Sequence, residues 1–193
     1  MPSTPLFAPD EFFTQQSPSL ASAAIILLLT GVVAVASAAP YVDQVTPIEF
    51  STGMLVFSIL LGGFIGAAGI WTVSTIAVYL LTAVTGGSGS LTRVAANIGW
   101  ASLPLLLINA ISTATVWGLA FFGNLPTVTL TQMQLPRWLL LFNTVIGVIG
   151  YLWIGYLLTY AIHDARKLDV RRSAIVAGII VVIPILNAVA NLL

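Results

Sequence analysis

Residues 53–85 run for the length of a long helix without a single Asp, Glu, Lys or Arg. As one helix at 1.5 Å per residue, such a run is roughly 50 Å long, against a bilayer hydrocarbon core of about 30 Å. Two separate crossings would need about forty residues plus a turn, so the run reads as one long, tilted or overhanging span. Four further apolar runs flank it, giving expected spans at about 20–39, 53–85, 98–122, 138–162 and 173–193. Only 6% of the 193 residues are charged and 59% are hydrophobic. A soluble domain carries about a quarter charged residues, so water cannot be the solvent for most of this chain. The fold class expected is an all-α integral membrane protein with five transmembrane helices.

Charge placement orients those spans. The links at 41–50 and 123–137 hold one arginine between them, whereas those at 86–97 and 163–172 hold Arg93, Arg166, Lys167, Arg171 and Arg172. Basic loops stay on the cytoplasmic side. The N-terminus is therefore expected inside, the C-terminus outside, and the protein in the cell membrane as a multi-pass chain. Residues 1–18, rich in Pro, Ser, Thr and Gln, read as a polar mobile tail, with room for a turn of helix at Asp10 and Glu11. Residues 19–193 form the membrane domain. Ala36-Ser37-Ala38 resembles a signal-peptide cleavage site, but no Lys or Arg precedes the first apolar run, so a span is expected there rather than a leader.

Net charge is zero, which gives no field to attract nucleic acid. There is no cysteine and one histidine, so no metal site and no cofactor is expected. No charged residue lies near the middle of any expected span, which argues against ion-coupled transport. Gly62, Gly63, Gly66 and Gly69 cluster on overlapping faces of the second span; small residues at this spacing let helices pack closely. The same glycines, with the polar faces of the third and fourth spans, also suit a small passive conduit or lipid translocator.

The break between the second and third spans, Gly86 to Pro104, holds most of the motif-bearing residues. Ser90 is a helix cap for residues 91–102, read as a short interfacial helix with Arg93 reaching toward headgroups and Asn97 one turn away. Pro104 sits at the start of the third span, where a missing N–H is spared. Gly86-Gly87-Ser88-Gly89 also matches the short signature of rhomboid intramembrane proteases, with His163 on the same side as Ser88. A turn built of Gly and Ser explains those four residues without chemistry, and no catalytic residue is assigned.

GGSGSLTRVAANIGWASLP as a whole resembles the core pattern of the Yip-one domain family. Its members show a Gly-Gly-x-Gly group, about ten residues, then a Gly-aromatic-x-x-x-Pro entry to the third span. Gly86, Gly87, Gly89, Gly99, Trp100 and Pro104 fill those places. The segment HDARKLDVRRSA, with His163, Leu168, Ser173 and Ala174, resembles the family's link before its last span. The resemblance implies five spans and a role in membrane organisation or trafficking-type scaffolding rather than catalysis. The Asp-Leu-Tyr-Gly-Pro-like motif of eukaryotic members is absent, which counts against binding of Rab-type GTPases and fits a prokaryotic branch. The function expected is a non-catalytic scaffold or organiser. Its partners would be membrane lipids, other membrane proteins or a second copy, met at a basic cytoplasmic surface of Arg93, Arg166, Lys167, Arg171 and Arg172.

Overall fold

A computed structural model describes residues 4–128, 135–190 and 192. Among the described residues all regular structure is helical: α1 (Pro9–Gln15), α2 (Leu20–Ala36), α3 (Val42–Val45), α4 (Thr52–Val84), α5 (Leu91–Ala101), α6 (Leu103–Phe121), α7 (Arg137–Arg166) and α8 (Val170–Ala190). Five stretches are long and apolar enough to cross a membrane: Leu20–Val45, Thr52–Val84, Leu91–Phe121, Arg137–Arg166 and Val170–Ala190. Most of the polar TVTLTQMQ loop, and residues 191 and 193 of the last expected span, lie outside the described residues.

Local chemistry sets the boundaries. Side chains of Ser19, Ser51 and Ser90 accept hydrogen bonds from the N–H groups of Ser22, Met54 and Arg93, capping α2, α4 and α5. Such caps satisfy donors that a helix start leaves free. Asp169 does the same for α8, its carboxylate accepting from the Arg172 N–H at 2.8 Å. Pro104 lies in the first turn of α6, and the chain breaks between α5 and α6 at Ser102. α4 is a single helix of 33 residues, as the length argument requires.

α5 is the centre of the bundle, packed against α2, α4 and α7, while α7 also carries α1, α6 and α8. The buried core gathers at one end, where Val78 of α4, Val94 and Ile98 of α5, Leu157 and Ile162 of α7 and Val176 of α8 meet. The opposite reaches of α4 and α8 expose large apolar side chains, the surface that lipid covers.

Three expectations change. Within the stretch read as a mobile tail, the described residues 4–18 are not simply detached: α1 is docked, with Phe12 and Phe13 buried in the core. Two adjacent aromatic rings supply enough apolar area to hold a two-turn helix that has no membrane span of its own. α5 is not an interfacial helix either, because Val94, Ala96, Asn97, Ile98, Gly99 and Ala101 are all buried. The glycines of α4 also divide. A Cβ on Gly63 would lie 2.6 Å from the Val32 backbone, and one on Gly31 would lie 2.2 Å from the Gly63 carbonyl, so α2 and α4 touch backbone to backbone there. Gly62 faces Val35 at ordinary contact distance, whereas Gly66 and Gly69 face open space.

Candidate functional site at the charged end of the bundle

α4 ends where Gly86 takes a φ of +86°, a conformation that glycine adopts without strain. The loop that follows lies against the last turn of α7. The Ser88 N–H donates to the Arg166 carbonyl at 2.9 Å. A Cβ on Gly89, whose φ is +136°, would stand 2.2 Å from the Ala165 carbonyl, and one on Gly87 would stand 2.8 Å from the Thr82 carbonyl. The Gly-Gly-x-Gly pattern is thus a requirement of close backbone approach.

That approach builds a cage for one side chain. Arg166 donates from Nε to Thr82 Oγ1 at 2.8 Å, from Nη1 to the Gly89 carbonyl at 2.7 Å and from Nη2 to the Gly87 carbonyl at 2.8 Å. Its guanidinium carbon sits 4.3 Å from the centre of the Tyr79 ring. Arg166 is only 2% exposed. A planar five-donor fork is suited to several fixed acceptors at once, and here it fastens α4, the glycine loop and α7 together. Arg166 therefore leaves the expected basic surface: it is a buried tie.

A second node lies two residues back along α7. Asp164 Oδ2 accepts from Arg93 Nε at 3.0 Å, Arg93 Nη2 at 2.8 Å and Asn97 Nδ2 at 3.1 Å. Asn97 also donates to the Ala161 carbonyl at 3.0 Å, and Arg93 Nη2 to the Phe13 carbonyl at 3.3 Å. Arg93 thus points into the bundle rather than toward headgroups, and it holds the end of α1. Asp164, Phe13, Thr82 and Tyr79 are partners the sequence reading omits. The spacing of Arg93 and Asn97 one turn apart is the signal for them, since such a pair presents donors from one helix face to a single acceptor.

The remaining motif residues make contacts within the bundle. Gly99 meets α2, where a Cβ would be 2.4 Å from that of Ala23. Trp100 donates from Nε1 to Ser22 Oγ at 2.9 Å and packs on Phe12 with ring centres 4.9 Å apart. His163 Nδ1 donates to the Leu168 carbonyl, closing the turn between α7 and α8. No hydrogen bond joins His163 to Ser88 among the described residues, and Ser88 engages α7 through its backbone. Leu168, between the basic pairs, is buried.

What this end offers to solvent is a smaller basic set. Lys167 closes α7 in the left-handed conformation, its side chain 69% exposed and its Nζ 3.4 Å from Asp164 Oδ1. Arg172 is also exposed, pairing with Asp169 at 3.2 Å and donating to the Thr85 carbonyl at 3.2 Å. Arg171 is exposed and has no partner among the described residues. Among those residues no group of three or more His, Cys, Asp or Glu gathers in a way that would hold a metal ion.

Five apolar helices, with a buried arginine cage and an Arg–Asp node tying them at one end, define a multi-pass integral membrane protein. The family model of the Yip1 domain matches residues 4–190, and the chain belongs to that family. The match includes α1 and both nodes, so they are part of the family's domain. No curated protein and no solved structure matches the chain.

Proposed function

We propose that this protein is a non-catalytic organiser of the cell membrane, binding other membrane proteins or lipids through the end that carries Gly86–Asn97 and His163–Arg172. The observation that supports this most directly is the contrast between its arginines. Arg166 and Arg93 are spent on holding the helix ends in register, and that rigid end presents Lys167, Arg171 and Arg172 outward. Exposed cations at a membrane surface attract anionic headgroups or acidic protein segments, each worth about 1 kcal/mol. The basic-loop rule puts this end in the cytoplasm, with the N-terminus inside and the C-terminus outside.

The absence of cysteine makes the orientation directly testable. Single cysteines at Glu49 and Arg171 should behave oppositely: an impermeant reagent labels Glu49→Cys in intact cells and Arg171→Cys only after permeabilisation. Replacing Lys167, Arg171 and Arg172 together by Gln should then reduce partner recovery or anionic-lipid contact in correctly inserted protein. Unchanged recovery and unchanged lipid contact would reject the organiser reading.

Lipid translocation is the second reading. It draws support from two cavities that share Leu105 and Asn109 as a common border, one of them lined by Gly62, Gly63 and Gly66. Flux of labelled lipid in proteoliposomes above that of empty vesicles would favour it, and none would remove it.

A further inference from the structure

At the end of the bundle away from the arginine nodes, α6, α7 and α8 line an open cavity of about 370 Å³. Its wall is unusual for this depth in a membrane protein. Asn109, Ser112, Asn143, Tyr151 and Asn187 all face it, and among the described residues no Asp, Glu, Lys, Arg or His does. Counted from Arg137 at 1.5 Å per residue, Asn143 lies about 9 Å and Tyr151 about 21 Å along α7, within the hydrocarbon zone.

Few of these polar groups are satisfied by the protein. Ser112 Oγ donates to Asn143 Oδ1 at 2.6 Å, and Asn109 Nδ2 to the Thr30 carbonyl at 3.2 Å. The Asn143 amide N–H groups, Asn109 Oδ1, the whole Asn187 amide and the Tyr151 hydroxyl have no partner among the described residues. These groups open onto the cavity rather than being sealed inside the protein, and Asn187 is exposed; polar groups without partners in hydrocarbon are costly, so their convergence on one space favours an occupant with both donors and acceptors. Because no Asp, Glu, Lys, Arg or His lines the wall among the described residues, a charged occupant would be left uncompensated.

We propose that this cavity is a binding site for an uncharged glycerolipid, with its ester carbonyls and hydroxyl set among Asn143, Tyr151 and Asn187. The carboxamide N–H groups donate to the ester carbonyls, and an Asn oxygen accepts from the hydroxyl. The acyl chains lie along the neighbouring surface, where Leu141 and Val145 of α7 and Ile183 and Leu186 of α8 are exposed. A small soluble polyol would supply the same hydroxyls, but would have no use for that apolar flank. This site is independent of the basic face and of the organiser reading.

The test uses the full chain in proteoliposomes with two photoreactive probes, diacylglycerol and phosphatidylglycerol, carrying the same diazirine on the acyl chain. Labelled peptides are mapped by mass spectrometry. The diacylglycerol probe should label the peptides holding Asn143–Tyr151 and Pro184–Asn187 about tenfold more than the anionic probe, equivalent to about 1.4 kcal/mol. Asn143→Leu with Asn187→Leu should abolish that preference. Gly147→Leu provides a second route, since Gly147 lines the cavity and a Cβ there meets nothing within 4 Å; it should block labelling by filling the space. Equal labelling by both probes, labelling unchanged in both variants, or full competition by free glycerol would each overturn the proposal.

Discussion

Arg166 Nε and Thr82 Oγ1, eighty-four positions apart in the chain, are joined at 2.8 Å. The bond ties the last turn of α7 to the last turn of α4, and the two remaining faces of the same guanidinium hold the glycine loop between them. The glycine loop and the basic link of this chain are therefore two halves of one structural device.

Removing that guanidinium should be costly. Arg166→Met leaves the Thr82, Gly87 and Gly89 acceptors without their charged donor, and is expected to destabilise the protein by about 3 kcal/mol. Arg166→Lys should recover less than half of this, because an ammonium cannot reproduce the planar fork. Thermal unfolding in detergent, followed by tryptophan fluorescence, measures both.

The glycines should separate by position rather than by spacing. Gly89→Ala forces a Cβ against the Ala165 carbonyl at a backbone angle that L-residues rarely adopt, and should cost at least about 2 kcal/mol. Gly63→Ala should also destabilise, since its Cβ meets the Val32 backbone. Gly66→Ala, which enters open space, should be neutral or stabilising within about 1 kcal/mol. A uniform loss across the three would contradict the packing described.

Arg93 and Asp164 should be energetically coupled. A double-mutant cycle with Arg93→Gln and Asp164→Asn is expected to give about 1–2 kcal/mol of interaction, because the pair is hydrogen-bonded and the carboxylate is buried. Phe13→Ala, at the other end of the same tie, should cost about 3 kcal/mol and open residues 4–19 to protease in the otherwise intact bundle. Protection equal to the wild type would place α1 elsewhere.

The spans were legible because length and apolarity are local properties. Gly53 to Thr85 admits little besides one long helix, and Ser90 and Pro104 mark helix starts by their own chemistry. Direction was not legible. Arg93 and Arg166 look like surface charges until their partners, 71 and 84 positions away, are brought beside them. Phe12 and Phe13 sit in a stretch whose average is polar, so the docking of α1 depends on two rings that composition dilutes. Gly63 and Gly66 share a helix and a residue type, and only the position of α2 decides which of them bears a contact.

The central claim is that the exposed cations beside the buried arginine cage are the working surface. It is tested most directly by placing a photo-crosslinking residue at Arg171 in the full chain, illuminating intact cells and identifying the adducts by mass spectrometry, with a probe at exposed Glu49 as the reference. The account predicts a discrete protein adduct or an enrichment of anionic lipid at position 171 that is absent at 49, and that is lost when Lys167 and Arg172 are changed to Gln. The same adducts at both positions, indifferent to those two charges, would contradict it.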